Sequence, residues 1–148
     1  MKSVARAIVD SLTDALTEGT VPAPYERITN GGFASGASWT IGAAAWTISG
    51  GKATNILDAG TLKQTLVTDS VLPSGGTIAV SVVVNNPVDG TLYIRTYRNG
   101  VAVQTLYGST PASATLSFST IATAEWDTIG FDATDFQTST LDDVSLIA

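Results

Sequence analysis

The chain has 148 residues, a length that suits one domain, and its 13 acidic against 7 basic side chains give a formal net charge of −6. It contains no cysteine and no histidine, which removes disulfides, thiol chemistry, the commonest general base and the commonest zinc ligand. Its basic residues (Lys2, Arg6, Arg27, Lys52, Lys63, Arg95, Arg98) are scattered, which argues against a nucleic-acid or anionic-membrane partner.

The opening MKSVARAIVD starts basic, but its apolar stretch stops at Asp10, too short for a signal peptide. No apolar stretch reaches the roughly 20 residues that a membrane-spanning helix needs. Over residues 3–18, Val4, Ile8, Leu12 and Leu16 recur every fourth position opposite Arg6, Asp10, Asp14 and Glu18, which predicts one amphipathic helix. Ser3 suits its N-cap and Gly19 its end. Residues 1–20 therefore form an expected helical unit, 21–27 a linker stiffened by Pro22 and Pro24, and 28–148 a second unit of different character. The helix is too short to be stable alone, so its apolar face needs cover from its own domain, from copies of itself or from another protein.

After Tyr25 the pattern is that of strands, with Thr, Val, Ile and aromatics alternating with small polar residues between Gly- or Pro-containing breaks. Four short candidates come first: SWTIG, AWTIS, KATNIL and LKQTLVT. Longer ones follow at 76–86, 91–97, 101–108, 113–121 and 127–133, and TLDDVSLI closes the chain from Thr140. Asn99-Gly100 marks a tight hairpin between two of them. Many short strands at this spacing predict a β-sandwich. In the closing strand Val144 and Leu146 share one face, with Asp143, Ser145 and Ile147 on the other.

NGGFASGASWTI (30–41), AAAWTISGGKAT (43–54), LKQTLVT (62–68) and LDDVSLI (141–147), taken in that order, resemble the carbohydrate-binding-module type of galactose-binding-like jelly roll. The resemblance spans about residues 28–147. It implies a mainly β fold, a jelly-roll β-sandwich preceded by one N-terminal α-helix, with the closing strand beside the opening one. It also implies a calcium ion at that junction, with Asp142 as the carboxylate ligand and Asn30 as a second ligand through its main-chain carbonyl. Ala34 stands where the family commonly has Glu, which halves the obvious carboxylate charge. The alternative is that Asp142 and Asp143 satisfy turn amides or are solvated.

On the strand from Thr91, the residues Tyr93, Arg95 and Tyr97 share one face, and Gln104 on the paired strand joins them if the hairpin register permits. This patch reads either as a sugar site, built from stacking rings and hydrogen-bonding groups, or as a contact with a neighbouring subunit. Trp39, Trp46 and Trp126 read as core. The carboxylate pairs Asp132 with Asp135 and Glu125 with Asp127 have no spacing that marks them as a glycosidase's acid and base, so no enzyme is expected.

Jelly rolls of this type also occur in phage virion proteins. The resulting expectation is a non-enzymatic virion structural protein, exposed on the particle surface, that decorates or cements a phage capsid. It would assemble through Val4, Ile8, Leu12 and Leu16 as a homo-oligomer, with a trimer preferred, against the major capsid or another virion protein. The alternative is a carbohydrate-binding module or tail-fibre domain that adheres to host glycans.

Overall fold

The computed structural model describes residues 25–57, 59–66 and 71–148; the helix expected over 1–20, with Val4, Ile8, Leu12 and Leu16, lies outside them. The described residues form ten strands: β1 (Thr40–Ile41), β2 (Trp46–Ser49), β3 (Lys52–Asn55), β4 (Ala59–Thr65), β5 (Thr77–Asn85), β6 (Thr91–Arg98), β7 (Val101–Ser109), β8 (Ala114–Ile121), β9 (Thr128–Thr134) and β10 (Thr140–Ile147). They make two five-stranded sheets, ordered β1-β4-β9-β6-β7 and β2-β3-β10-β5-β8. Each pairing within them is antiparallel. This is the expected jelly-roll β-sandwich.

Strict alternation builds the layers. In β5, Ile78, Val80, Val82 and Val84 are buried while Thr77, Val83 and Asn85 face outward, so one face of the strand supplies the core and the other meets solvent. In β6, Leu92 and Ile94 point inward against Phe131 and Ile129 of β9, all four without solvent exposure. Trp39, Trp46 and Trp126 are buried as expected; Trp39 lies 5.0 Å from the Phe33 ring and Trp46 6.1 Å from Phe136, centroid to centroid. The β6–β7 hairpin turns on Asn99 and Gly100, both at positive φ, the conformation a two-residue primed turn demands and the reason for this residue pair.

The closing strand is central. β10 lies between β3 and β5, and its register against β5 shifts by one residue between Asp142 and Ser145. Leu141, Val144 and Leu146 are all buried, which strict alternation forbids for positions 141 and 144. The extra residue restores the match: Asp143 takes a φ of 46°, and Asp142 Oδ1 accepts the Asp143 amide at 2.7 Å. That is a β-bulge capped by its own carboxylate.

Beyond the bulge, Arg27 N donates to Leu146 O at 2.8 Å, and Tyr25 and Ala148 exchange backbone hydrogen bonds. Glu26 pairs with Ile147. Residues 25–27, within the segment expected as a linker, thus pair along the closing strand, which lies beside the opening one as the resemblance implies.

Candidate functional site

The outward face of the first sheet can be mapped from the strand register. Lys63 on β4 and Arg95 on β6 stand opposite each other across Gly130 of β9, and Thr105 of β7 continues the row. The row on one side holds Thr61, Asp132, Tyr93 and Gly108, and the row on the other holds Thr65, Thr128, Tyr97 and Ala102. Alternation puts all of these on one surface.

The two glycines shape that surface. A Cβ at Gly130 would lie 2.5 Å from Cε2 of Tyr97 and 3.2 Å from Cγ of Lys63, and one at Gly108 would lie 2.8 Å from Cδ1 of Tyr93. Each tyrosine ring thus lies over a position that lacks a side chain, low on the sheet. Cations cover the rings: Lys63 Nζ is 4.0 Å from the Tyr97 centroid, and Arg95 Cζ is 4.5 Å from that of Tyr93. Both distances are within cation–π range.

Asp132 ties the centre together. Its Oδ2 accepts Arg95 Nη1 at 2.7 Å and the Tyr97 hydroxyl at 2.6 Å, while Arg95 Nε reaches Thr105 Oγ1 at 3.3 Å. Burial, reinforced by the Asp132 carboxylate, holds the Tyr97 phenol well above the ordinary tyrosine range, so it stays a donor at any physiological pH. Asp132 Oδ1 is buried and takes no hydrogen bond from the described protein. At the end of the same sheet Arg98 Nη1 pairs with Asp127 Oδ2 at 2.7 Å. Burial opposes ionisation of Asp127, but the hydrogen bonds from Thr128 and Arg98 outweigh it and hold the carboxyl below its usual value.

Of the expected patch, Tyr93, Arg95 and Tyr97 come together and Gln104 does not. Two register irregularities in the β6–β7 pair place Gln104 opposite Thr96, which is buried, whereas Thr105 sits opposite Arg95. Gln104 instead ties β7 to the chain after β8: its Nε2 donates to Ile121 O and its Oε1 accepts the Thr123 amide. Tyr107 lies outside the patch and stacks on Phe118, with centroids 5.9 Å apart. Lys63, Thr105 and Gly130 were not singled out from the sequence, and Asp132 was weighed there only as a catalytic carboxylate, a role that its spacing did not support. The signal for Gly130 and Asp132 lay in DTIGFDA, whose alternate positions face outward, but only a register places them beside Tyr97 and Arg95.

At the implied calcium junction, Asn30 uses its polar groups on its own turn. Its amide nitrogen donates to Ser35 O at 2.7 Å and Ala37 O at 3.0 Å, and its Oδ1 accepts the Ala34 amide at 2.8 Å. Its main-chain carbonyl accepts the Trp39 indole at 3.0 Å and the Phe33 amide at 3.1 Å. One Asp142 oxygen is engaged by the bulge. No group of three or more acidic, histidine or cysteine side chains suited to a metal occurs among the described residues. Oxygens already engaged by N–H donors, with Ala34 in place of the family's Glu, are a poor fit for a cation that takes six to eight oxygens.

No family model and no curated protein matches the chain's sequence. Solved structures do match its fold. A family 4 carbohydrate-binding module is 17% identical with a TM-score of 0.57, covering 76% of this chain and 95% of its own. A substituted family 29 carbohydrate-binding module is 9% identical with a TM-score of 0.59, covering 85% of this chain and 91% of its own. The enzymatically active domain of tailspike protein 4 from bacteriophage CBA120 is 15% identical with a TM-score of 0.58 over 82% of this chain. This chain spans only 21% of that tailspike domain's length. The fold is thus a carbohydrate-binding-module-like jelly roll of a kind that also occurs within a phage tailspike.

Proposed function

We propose that this chain is a non-catalytic carbohydrate-binding module that holds a glycan on the outward face of its first sheet, as an adhesive domain of the phage tail-fibre kind. One observation carries the reading: on an outward sheet face, Asp132, Arg95 and Tyr97 form a hydrogen-bonded cluster flanked by Lys63 and Tyr93, which groups aromatic, guanidinium, ammonium and carboxylate side chains in one patch. The likeness of the fold to carbohydrate-binding modules and to part of a tailspike supports the same reading.

Affinity electrophoresis in gels containing polysaccharide, with the wild type beside Tyr97→Ala and Asp132→Ala, tests it. Retardation of the wild type that weakens about tenfold or more in each variant, with their melting transitions still cooperative, supports the assignment. Equal retardation of all three moves the site off this face.

The capsid-decoration reading has a separate observation in its favour. Residues 99–124 contain no charged side chain, and they include β7 and β8, the end strands of the two sheets. Val101 and Ile121 there are 65% and 52% exposed. A long, uncharged edge is a place where strands from other copies add, so an oligomer, a trimer included, or docking on a major capsid protein in a virion would use it. Light scattering of the full chain, wild type against Ser117→Lys with Ser119→Lys, decides this. An oligomer that the charges dissociate supports assembly through the edge; a monomer in both cases removes that support.

A further inference from the structure

Building on the glycan-binding reading, we infer that the sugar this face takes is acidic, with its carboxylate held between Lys63 and Arg95. A neutral pyranose binds an aromatic side chain by lying on an open ring face, but Lys63 Nζ sits 4.0 Å from the Tyr97 centroid and Arg95 Cζ 4.5 Å from that of Tyr93. The Tyr97 hydroxyl is already donated to Asp132. What the face presents is therefore two cations set on rings, not two bare platforms.

The charges then decide the ligand's sign. Facing this patch are Lys63 on β4, Arg95 on β6 and Asp132 on β9, with the Arg98–Asp127 pair closed on itself at the sheet's end. The patch has a net charge of +1 in a chain whose total is −6. Asp132 neutralises Arg95 through Nη1 alone, Nη2 makes no hydrogen bond among the described residues, and Lys63 makes no ion pair with any described carboxylate. Glu26, Asp142 and Asp143 lie on the other sheet's side, along the closing strand.

Spacing fits one anionic group between the cations. Lys63 and Arg95 are two strands apart across Gly130, about 10 Å between Cα atoms, and the central position carries no side chain of its own. A carboxylate seated between the two cations would meet Lys63 Nζ on one side and Arg95 Nη2 on the other, both charge-assisted.

The test uses polygalacturonate, the same polymer with its carboxyls methyl-esterified, and a neutral galactan, in affinity electrophoresis of the full chain. Lys63→Met keeps the aliphatic stem that lies near Gly130 and removes the charge. Lys52→Met, on β3 of the other sheet, makes the same change in net charge away from the face. The expected result is retardation by polygalacturonate but not by its ester or the galactan, weakened about tenfold or more in Lys63→Met and unchanged in Lys52→Met. Equal retardation by acid and ester, or by the neutral galactan alone, overturns the acidic ligand and leaves the glycan reading standing. Loss that is equal in the two lysine variants overturns the role of Lys63. No retardation by any of the three polymers, nor in the polysaccharide gels that test the glycan reading, overturns both.

Discussion

Two glycines and one aspartate decide whether this surface exists. Gly130 has no room for a methyl group, since Tyr97 Cε2 would lie 2.5 Å from it, so Gly130→Ala must lift the ring or bend β9. Overpacking of this kind costs about 1–3 kcal/mol; urea unfolding is expected to show that loss, and glycan affinity should fall with it because the ring moves. The Tyr97 phenol, held high by burial and by Asp132, gives a spectroscopic check. Its folded pKa lies above its unfolded value, so its contribution to stability is complete below about pH 10 and is lost only as the pH rises through the folded value. In an ultraviolet difference titration of the wild type against Tyr97→Phe, the Tyr97 signal should be absent near pH 10 and appear only well above it. Ionisation at the ordinary tyrosine value would mean that the Asp132 bond does not form. Little of this was legible in the sequence. Tyr93, Arg95 and Tyr97 could be read as one face because alternation within a strand is local. Lys63, Gly130 and Asp132 join them through pairings between strands far apart in the chain, and nothing local records those.

Strands and turns were more legible, because each carries its own signal. Ten expected segments correspond to ten strands, and Asn99-Gly100 forms the turn its residue types demand. Gln104 shows where the signal fails. A hairpin without bulges alternates predictably, but β6–β7 has two register irregularities, and each extra residue reverses which side chains face outward. The bulge in β10 is the same device used in the core. Asp143 sits at a φ of 46°, where a glycine relaxes and a β-branched residue is strained. Asp143→Gly is expected to be neutral or to stabilise by up to about 1 kcal/mol, and Asp143→Val to destabilise by about 1–3 kcal/mol, both read from thermal melts. A Val that is tolerated as well as Gly would mean that the bulge relaxes freely. The Asp127–Arg98 pair sets an acid limit on the adjoining sheet end. The Asp127 pKa is depressed in the fold, so its contribution is present above the unfolded value of about 4 and disappears as the pH falls through the folded one.

At the scale of the whole molecule, the carbohydrate-binding-module resemblance was carried by short pieces at both ends of the sandwich, and the fold agrees with it. The metal that it implied does not follow from those pieces. Asn30 closes the opening turn with its own amide, donating to Ser35 O and Ala37 O, so the turn has an internal staple. The melting temperature is therefore expected to be the same in calcium and in chelator, while Asn30→Ala, which orphans several turn groups, should cost about 1–3 kcal/mol. A melting temperature that falls in chelator would contradict the staple. Glycan contact on the first sheet can be read position by position by nuclear magnetic resonance. Isotopically labelled protein would be titrated with oligosaccharide fragments of whichever polysaccharide retards it. The expected shifts concentrate on Lys63, Tyr93, Arg95, Tyr97, Gly130 and Asp132; shifts gathered on β5, β8 and β10 of the other sheet would contradict the account.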